Sequence, residues 1–485
     1  MQYEPVIGLE VHAELQTRSK MFCACPVVDS VEAQPNTSVC PVCAGMPGVL
    51  PVVNRRAVEY GIRVALALGC KVAHTSLFDR KNYFYPDLPK GYQISQYEHP
   101  LAEYGHLVIH TSTAEKVVRI RRVHLEEDTG KLTHISKDGQ SYSLVDLNRA
   151  GVPLLEIVSE PDLHSPEEVT AYAASLRAIV RALGVNSGDM EKGVIRFEAN
   201  VSIRPLGSQT LGTRVEIKNL NSFRAMERAV IYEIARQSTL LNGGGRVKQE
   251  TLGWDEANNC TVTQRSKEEA HDYRYFPEPD LPPLVVEATW IEEVRASLPE
   301  LPQARLERFG KQYNLTLLDA LQLAEETSAA NFFELTVQAA PQVAPRTIAN
   351  WITGEIFSWL NRNKSSFSAL PILPVLFAEL LNATERGEIN LPTAKAVLSE
   401  MLSSGQSAGQ IIAMRGLQQI SDGNFIATLV AQVLAENPQE IASYLSGKEN
   451  LANWFFGQVM RQAGGKANPA MLRDELKRQL HTLKR

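Results

Sequence analysis

The 485-residue chain is 44% hydrophobic and 21% charged, a globular composition too long for one ordinary core, so two or three domains are expected. Its net charge of −6 excludes polyanion binding by bulk charge, and no apolar run is long enough to cross a membrane as a helix. The opening MQYEPVIGLEVHAEL has neither a basic segment followed by an apolar one nor an Arg/Ser-rich character, so no targeting peptide and a cytoplasmic address are expected.

The first element, IGLEVHAEL, alternates as a half-buried strand does. Glu10, His12 and Glu14 fall on one face, and Ile7, Leu9, Val11 and Ala13 on the other. Next comes FCACPVVDSVEAQPNTSVCPVCAGMPG, with Cys23, Cys25, Cys40 and Cys43 in two close pairs. Disulfides do not persist in a reducing cytoplasm, and a redox C-x-x-C stands alone without a matching pair. Two thiol pairs separated by a mid-length loop suit tetrahedral Zn²⁺. With four protein ligands no position stays open for water, so such a zinc would be structural, contributing about 10 kcal/mol or more of local folding free energy. Cys70 and Cys260 are isolated, and Cys70 in VALALGCKVA reads as core.

A helix over NRRAVEYGIRVALALG precedes strands in VVRIRRVHLEED, VIRFEANVSIRP and GTRVEIKNL, which alternate as antiparallel strands do. Between them SPEEVTAYAASLRAIVRALG opens with Ser165 as N-cap, Pro166 at the first helical position and acids in the first turn. VHLEEDTGK sets Glu126, Glu127 and Asp128 at a strand end, and VDLNRAGVPLLEIVSEPD gives Asp146, Asn148, Arg149 and then Glu156 among Leu155, Ile157 and Val158. A glutamate in apolar company is costly to bury without a cation or partner. Two readings of these acids stay open. An oxygen-rich cluster with one imidazole suits Mg²⁺ or Mn²⁺ holding nucleotide phosphates; the same acids could be strand-edge charges paired with nearby arginines.

The proline-dense RYFPEPDLPPLVV marks the exit from this α+β region. From ATWIEEVRASLPELP onward the period is helical, as in PRTIANWITGEIFSWLNR and LPTAKAVLSEMLSSG, and SSGQSAG marks a second break. The expected division is 1–290, 291–405 and 406–485. The last twenty residues carry six Lys/Arg against two acids, which fits either a local nucleic-acid contact or a solvated helix. Asn468-Pro469 should start that helix, with Lys466 at its entry and Arg473, Lys477 and Arg478 along it. No P-loop, nucleophile elbow or dinucleotide fingerprint occurs; NGGGRVKQ reads as a turn between helix and strand.

Taken together, IGLEVHAEL, CPVCAGMPGVLPVVN, DRKNYFYPDLPKGYQISQ, LEEDTGK, VDLNRAGVPLLEIVSEPD, VEIKNLNSF and GQVMRQAGGKANP resemble the B subunits of tRNA-dependent glutamyl/aspartyl-tRNA amidotransferases, from the first ten residues almost to the C-terminus. The resemblance implies an antiparallel cradle domain with helices, an all-α helical domain and a small all-α tail related to YqeY. It implies ATP-dependent phosphorylation of the side-chain carboxylate of misacylated Glu-tRNA(Gln) or Asp-tRNA(Asn). Ammonia from a glutaminase A subunit would then displace phosphate, with a small C subunit completing a heterotrimer.

Carried onto this sequence, the resemblance puts Mg²⁺ (or Mn²⁺) on Glu10, His12, Glu127 and Glu156, with Glu126 and Asp128 only nearby. It supports structural zinc on Cys23, Cys25, Cys40 and Cys43. Lys81, Tyr83, Tyr85, Lys90, Tyr92 and Gln96 could line an ammonia passage. Arg204, Arg214 and Lys218 are candidates for phosphate or 3′-end contacts, and with Lys81 and Lys90 they form the expected set of nucleotide-binding cations. The alternative is a non-catalytic tRNA-binding scaffold, which would have no need to bring Glu10, His12 and Glu156 together. The chain shows no Cys-His nucleophile pair and no Ser-rich amidase loop, so its ammonia must come from elsewhere.

Overall fold

The computed structural model describes residues 2–137, 139–266, 273–419 and 422–483. It is α+β: a large sheet with helices comes first, and helices alone follow. The chain divides into two compact units, residues 1–305 and 306–485.

The first unit is built on nine strands: β1 (Tyr3–Glu14), β2 (Lys71–Val72), β3 (Ala102–His110), β4 (Glu115–Glu127), β5 (Pro153–Ser159), β6 (Ile195–Pro205), β7 (Val215–Lys218), β8 (Glu250–Asp255) and β9 (Cys260–Ser266). Their order across the sheet is β9-β8-β7-β6-β1-β5-β4-β3-β2, so the N-terminal strand lies in the middle. All pairs are antiparallel except β7 with β8. That exception departs from the antiparallel expectation, and its cause is the connection. Helix α3 (Phe223–Asn242) lies between the two strands, and a helical crossover returns the chain in the same direction. The glycine-rich run after α3 is the expected turn, with Gly244 at φ 79°.

One face of the sheet is the core. Ile7, Leu9, Val11 and Ala13 of β1 join Val123, Leu125, Leu155, Ile157, Phe197, Ala199 and Val201 in a single buried cluster with helices α1 (Arg55–Ala67), α2 (Pro166–Ala182) and α3. Asn54 caps α1, and Ser165 accepts from the Glu168 amide at the start of α2, as its sequence requires. The other face, by the period of two, carries the polar residues.

The exit segment turns back. Phe276–Pro277 pairs with Asp79–Arg80, and Leu284–Val285 pairs with Thr75–Ser76. Arg80 grips Glu278 through two hydrogen bonds of 2.7 Å, which fixes this segment beside the strand pair Asp79–Asn82 and Tyr92–Ser95.

The second unit holds two apolar clusters, one among residues between Leu306 and Ile412, the other between Ile426 and Leu480. Gly405 at φ 72° ends the helix Leu391–Ser404, and a Ser407–Gln410 capping box starts the next. Asn468 accepts from the amides of Ala470 and Met471, which starts the terminal helix Pro469–Leu483 where the sequence placed it.

Candidate active site

Strand register brings acids from five strands onto the polar face. His12 lies opposite Glu156 on one side and Arg196 on the other, and Glu156 lies opposite His124. Glu10 faces Glu198, and Asn200 faces Glu216. His12, Glu126 and Glu156 form one group, and Glu10, Glu198 and Glu216 a second, each with donor atoms within 4.8 Å of one another.

Glu156 is the hinge of the first group. His12 Nε2 and His124 Nε2 each stand 3.4 Å from its Oε2. Glu156 is buried, which would raise its pKa, yet the two imidazoles hold it well below the usual carboxylate range. Burial opposes a charged His12 as well, but its hydrogen bond to Glu156 and the charges of Glu156, Glu198 and Glu126 push it up to about 9. Glu10 moves the other way: burial, then repulsion from Glu156, Glu198 and Glu216, raises it, while Asn200 Nδ2 donates to its Oε1 at 3.0 Å. This charge pattern calls for positive charge at the middle of the face. The Nδ1 atoms of His12 and His124 are buried without a hydrogen-bond partner among the described residues. Mixed carboxylate and imidazole donors fit a divalent cation.

Glu127, expected in this group, is placed elsewhere. Alternation puts it on the side of β4 that carries Val123 and Leu125, where it pairs with Lys90 and accepts from the Ile94 amide at 3.0 Å. Glu126, expected only nearby, occupies the polar face with His12 and Glu156 and accepts from Ser95 Oγ at 3.1 Å. Asp128 is held below its ordinary range, against the effect of burial, by Arg196 and Arg149.

The remaining cations spread around the face. Lys218 hydrogen-bonds both Glu198 oxygens at 2.9 and 3.0 Å and approaches Glu216 at 3.3 Å; burial disfavours its charge, and the two glutamates raise its pKa regardless. Arg204 pairs with Glu4, and Arg214 lines a cavity of about 520 Å³ whose floor is Glu10 and Glu156. Tyr97, Arg121 and Arg122 also line it, and no sequence signal had singled them out. Tyr97 stacks on Tyr275 with ring centres 4.2 Å apart, and the Arg122 guanidinium lies over Tyr97. Lys81 sits over the rings of Tyr83 and Tyr273, at 5.7 and 5.1 Å; burial disfavours its charge, but Glu126 raises its pKa.

The four cysteines come together. Cys43 Sγ lies 3.8 Å from Cys40 Sγ and 4.0 Å from Cys25 Sγ, and all four sulfurs fall within 4.8 Å of each other. Tetrahedral zinc with Zn–S bonds of about 2.3 Å separates its sulfurs by about 3.8 Å, so the thiols fit that ion. The Cys43 thiol is drawn down to about 4 by the hydrogen bond from Cys23, with help from the Cys40 amide and the Lys20 charge and against burial. Gly45 adopts φ 69° beside the stem of Lys90; a Cβ there would meet Lys90 Cγ at 2.8 Å. The thiol loop therefore packs directly on the lysine that holds Glu127.

Of the tail cations, Arg478 is engaged by Glu475 of its own helix and Arg473 lies over Phe456. No helix among the described residues is long and apolar enough to cross a membrane.

Residues 5–292 match the GatB/GatE catalytic domain family, and residues 331–480 match the GatB domain family. The chain is 52% identical over 99% of its length to the B subunit of the aspartyl/glutamyl-tRNA(Asn/Gln) amidotransferase of Moorella thermoacetica, covering all of that protein. It is 50% identical to the protein of the same name from Thermodesulfovibrio yellowstonii, and 52% identical to that from Nitratidesulfovibrio vulgaris, over 98% of this chain and of each relative. The chain belongs to the family of aspartyl/glutamyl-tRNA(Asn/Gln) amidotransferase B subunits.

Proposed function

We propose that this chain is the activating subunit of a tRNA-dependent amidotransferase, using ATP to phosphorylate the side-chain carboxylate of misacylated Glu-tRNA(Gln), Asp-tRNA(Asn) or both. The observation that carries this is the convergence of His12, Glu126 and Glu156, and of Glu10, Glu198 and Glu216, on one sheet face, with Glu156 of the first group and Glu10 of the second lining a cavity. A scaffold would have no reason to concentrate so much mutually repelling charge.

A carboxylate is a poor acyl electrophile, and an acyl phosphate gives the nitrogen nucleophile a good leaving group. His12, Glu126 and Glu156, with Glu10 beside them, would hold Mg²⁺ or Mn²⁺; such ions neutralise phosphate charge as it moves. Arg122 and Arg214 stand at the cavity wall, where guanidinium groups suit phosphate oxygens. Tyr97 presents a flat ring on the same wall. The cavity is of the size that small ligands occupy. Lys218 and Arg204, already paired with glutamates, orient the face and leave free phosphate contact mainly to Arg122 and Arg214.

Ammonia would come from a partner glutaminase A subunit, with a C subunit completing a heterotrimer in the cytoplasm. The rings around Lys81 and the Lys90–Glu127 pair are our candidates for its approach to the acyl phosphate. Structural zinc on the four cysteines would brace that approach through Gly45 and Lys90. We retain three domains, a number that three separate apolar clusters support; the first cluster reaches Val294 and the second Ile412, past the expected bounds of 290 and 405, and the tail is proposed as a tRNA contact.

The test is transamidation of both misacylated tRNAs by the chain combined with A and C subunits. ATP-dependent conversion that disappears without this chain is expected; conversion by the partners alone would overturn the assignment.

A further inference from the structure

Among the buried charged residues to which the amidation chemistry gives no task is Lys20. Lys20 is 0% exposed. Its Nζ donates to the Ser38 carbonyl at 2.8 Å and the Leu147 carbonyl at 3.2 Å, and lies 3.5 Å from Cys43 Sγ. A buried ammonium is tolerated when an anion accompanies it. Two of these neighbours are neutral carbonyls. The sulfur is the one of the three able to carry negative charge.

A Zn²⁺ ion on four thiolates bears a net charge of about −2, itself expensive to enclose. Lys20 places a positive charge against that centre from the protein side. We propose that Lys20 is the internal counter-cation of the four-cysteine metal centre, and that it fastens the centre to the turn leading into the carboxylate strand; this rests on the zinc reading above.

The attachment is built from several bonds. Ser38, whose carbonyl Lys20 holds, donates its amide to Oδ1 of the buried Asn148 at 2.8 Å, and Asn148 Nδ2 donates to the Gln34 carbonyl at 2.7 Å. Met21, next to Lys20, donates its amide to the Gly151 carbonyl at 2.7 Å. At Gly151, φ 85°, a Cβ would sit 3.5 Å from both Lys20 and Cys43 side-chain carbons. Two residues further on begins β5, which carries Glu156. The metal centre, the lysine and the base of the catalytic strand are thus in direct sequence of contact.

The experiment uses the full-length protein, with Lys20→Met and Lys20→Arg as variants. Zinc affinity is read by competition with a chromophoric chelator, and the centre's electronics by the thiolate-to-cobalt charge-transfer bands of the Co²⁺-substituted protein. Loss of a partner that orients and neutralises metal ligands costs about 10- to 100-fold in affinity, so Lys20→Met should bind zinc at least about tenfold more weakly and shift the cobalt bands. Lys20→Arg should recover most of the affinity. A merely structural lysine would leave the cobalt bands unmoved. Equal zinc affinity and identical spectra in Lys20→Met would overturn the proposal while leaving the zinc reading intact; wild-type protein that takes up no zinc would remove both.

Should Lys20→Met fail to fold, wild-type protein gives an independent answer. Acetylation of Lys20, followed by mass spectrometry, should be suppressed in the zinc-loaded protein and rise on zinc extraction. Labelling that is the same in both states would count decisively against it.

Discussion

Glu156→Gln is the sharpest probe of the carboxylate face, because it keeps the shape of the side chain and removes only its charge. Glu156 stands 3.4 Å from each of two imidazoles. At an effective dielectric near 20, unit charges about 3.4 Å apart interact by about 5 kcal/mol, which sets the scale of attraction lost to any cation held there. Part of that loss is returned, since the same carboxylate repels Glu10 and raises its pKa. Taking roughly half as the net effect leaves about 3 kcal/mol, or about a hundredfold in rate. The assay is release of labelled phosphate from ATP in the presence of misacylated tRNA and the partner subunits. Glutamine hydrolysis by the partner and tRNA affinity serve as controls that should not move. Phosphate release at the wild-type rate would refute the assignment of this face to phosphoryl transfer.

Four further outcomes are expected. In metal-free protein the raised His12 pKa contributes stability that is fully present below about pH 6.5 and lost as pH rises through about 9. Thermal unfolding across that window should therefore decline in the wild type and flatten in His12→Gln; parallel profiles would contradict it. Lys90→Met leaves Glu127 buried without its cation and should cost about 3–5 kcal/mol in chemical denaturation, the usual penalty for breaking a buried pair. Cys40→Ser should abolish the single zinc found by metal analysis and lower the Tm of the first unit; a variant that keeps full zinc would count against the four-thiol site. Truncation after Ser407 should raise the KM for misacylated tRNA and flatten the salt dependence of binding, leaving ATP affinity unchanged; unchanged tRNA affinity at several salt concentrations would reduce the tail to a solvated appendage.

Much of the fold was legible because its signals are local. The β1 alternation and the Ser165-Pro166 and Asn468-Pro469 helix starts are each written within a few residues, and the structure follows them. SSGQSAG separates two helices, but Ala408, Ile411 and Ile412 beyond it share an apolar cluster with Met401 and Leu402 before it. The acidic face was legible only in part, since it is assembled by pairing across strands. Glu10, His12 and Glu156 stood out, but Glu198 and Glu216 join them through the registers of β1 with β6 and β6 with β7, which no single stretch announces. Glu126 and Glu127 could have been separated by the period of two, counting from Val123 and Leu125 as core. The family pattern pointed to Glu127 instead, while the strand places Glu126 with His12 and Glu156. Tyr275 and Tyr273 were out of reach for a different reason. They arrive beside Tyr97 and Lys81 because the exit segment folds back to pair with Asp79–Arg80, a contact between residues nearly two hundred apart.

The thiols and the carboxylates, which look like separate features of the sequence, are physically one construction. Gly45, two residues past Cys43 at the end of the cysteine loop, rests on Lys90 because a positive φ and the missing Cβ allow that approach. Lys90 neutralises Glu127, and Glu127 is the immediate chain neighbour of Glu126 on the working face. On the far side, Lys20 and Asn148 tie the same loop to the turn before Glu156. A loop so placed braces two of the three strands that supply the His12 group without contributing a residue to that group. Mutually repelling acids need a stiff frame, and an ion on the four thiols would add stiffness to it.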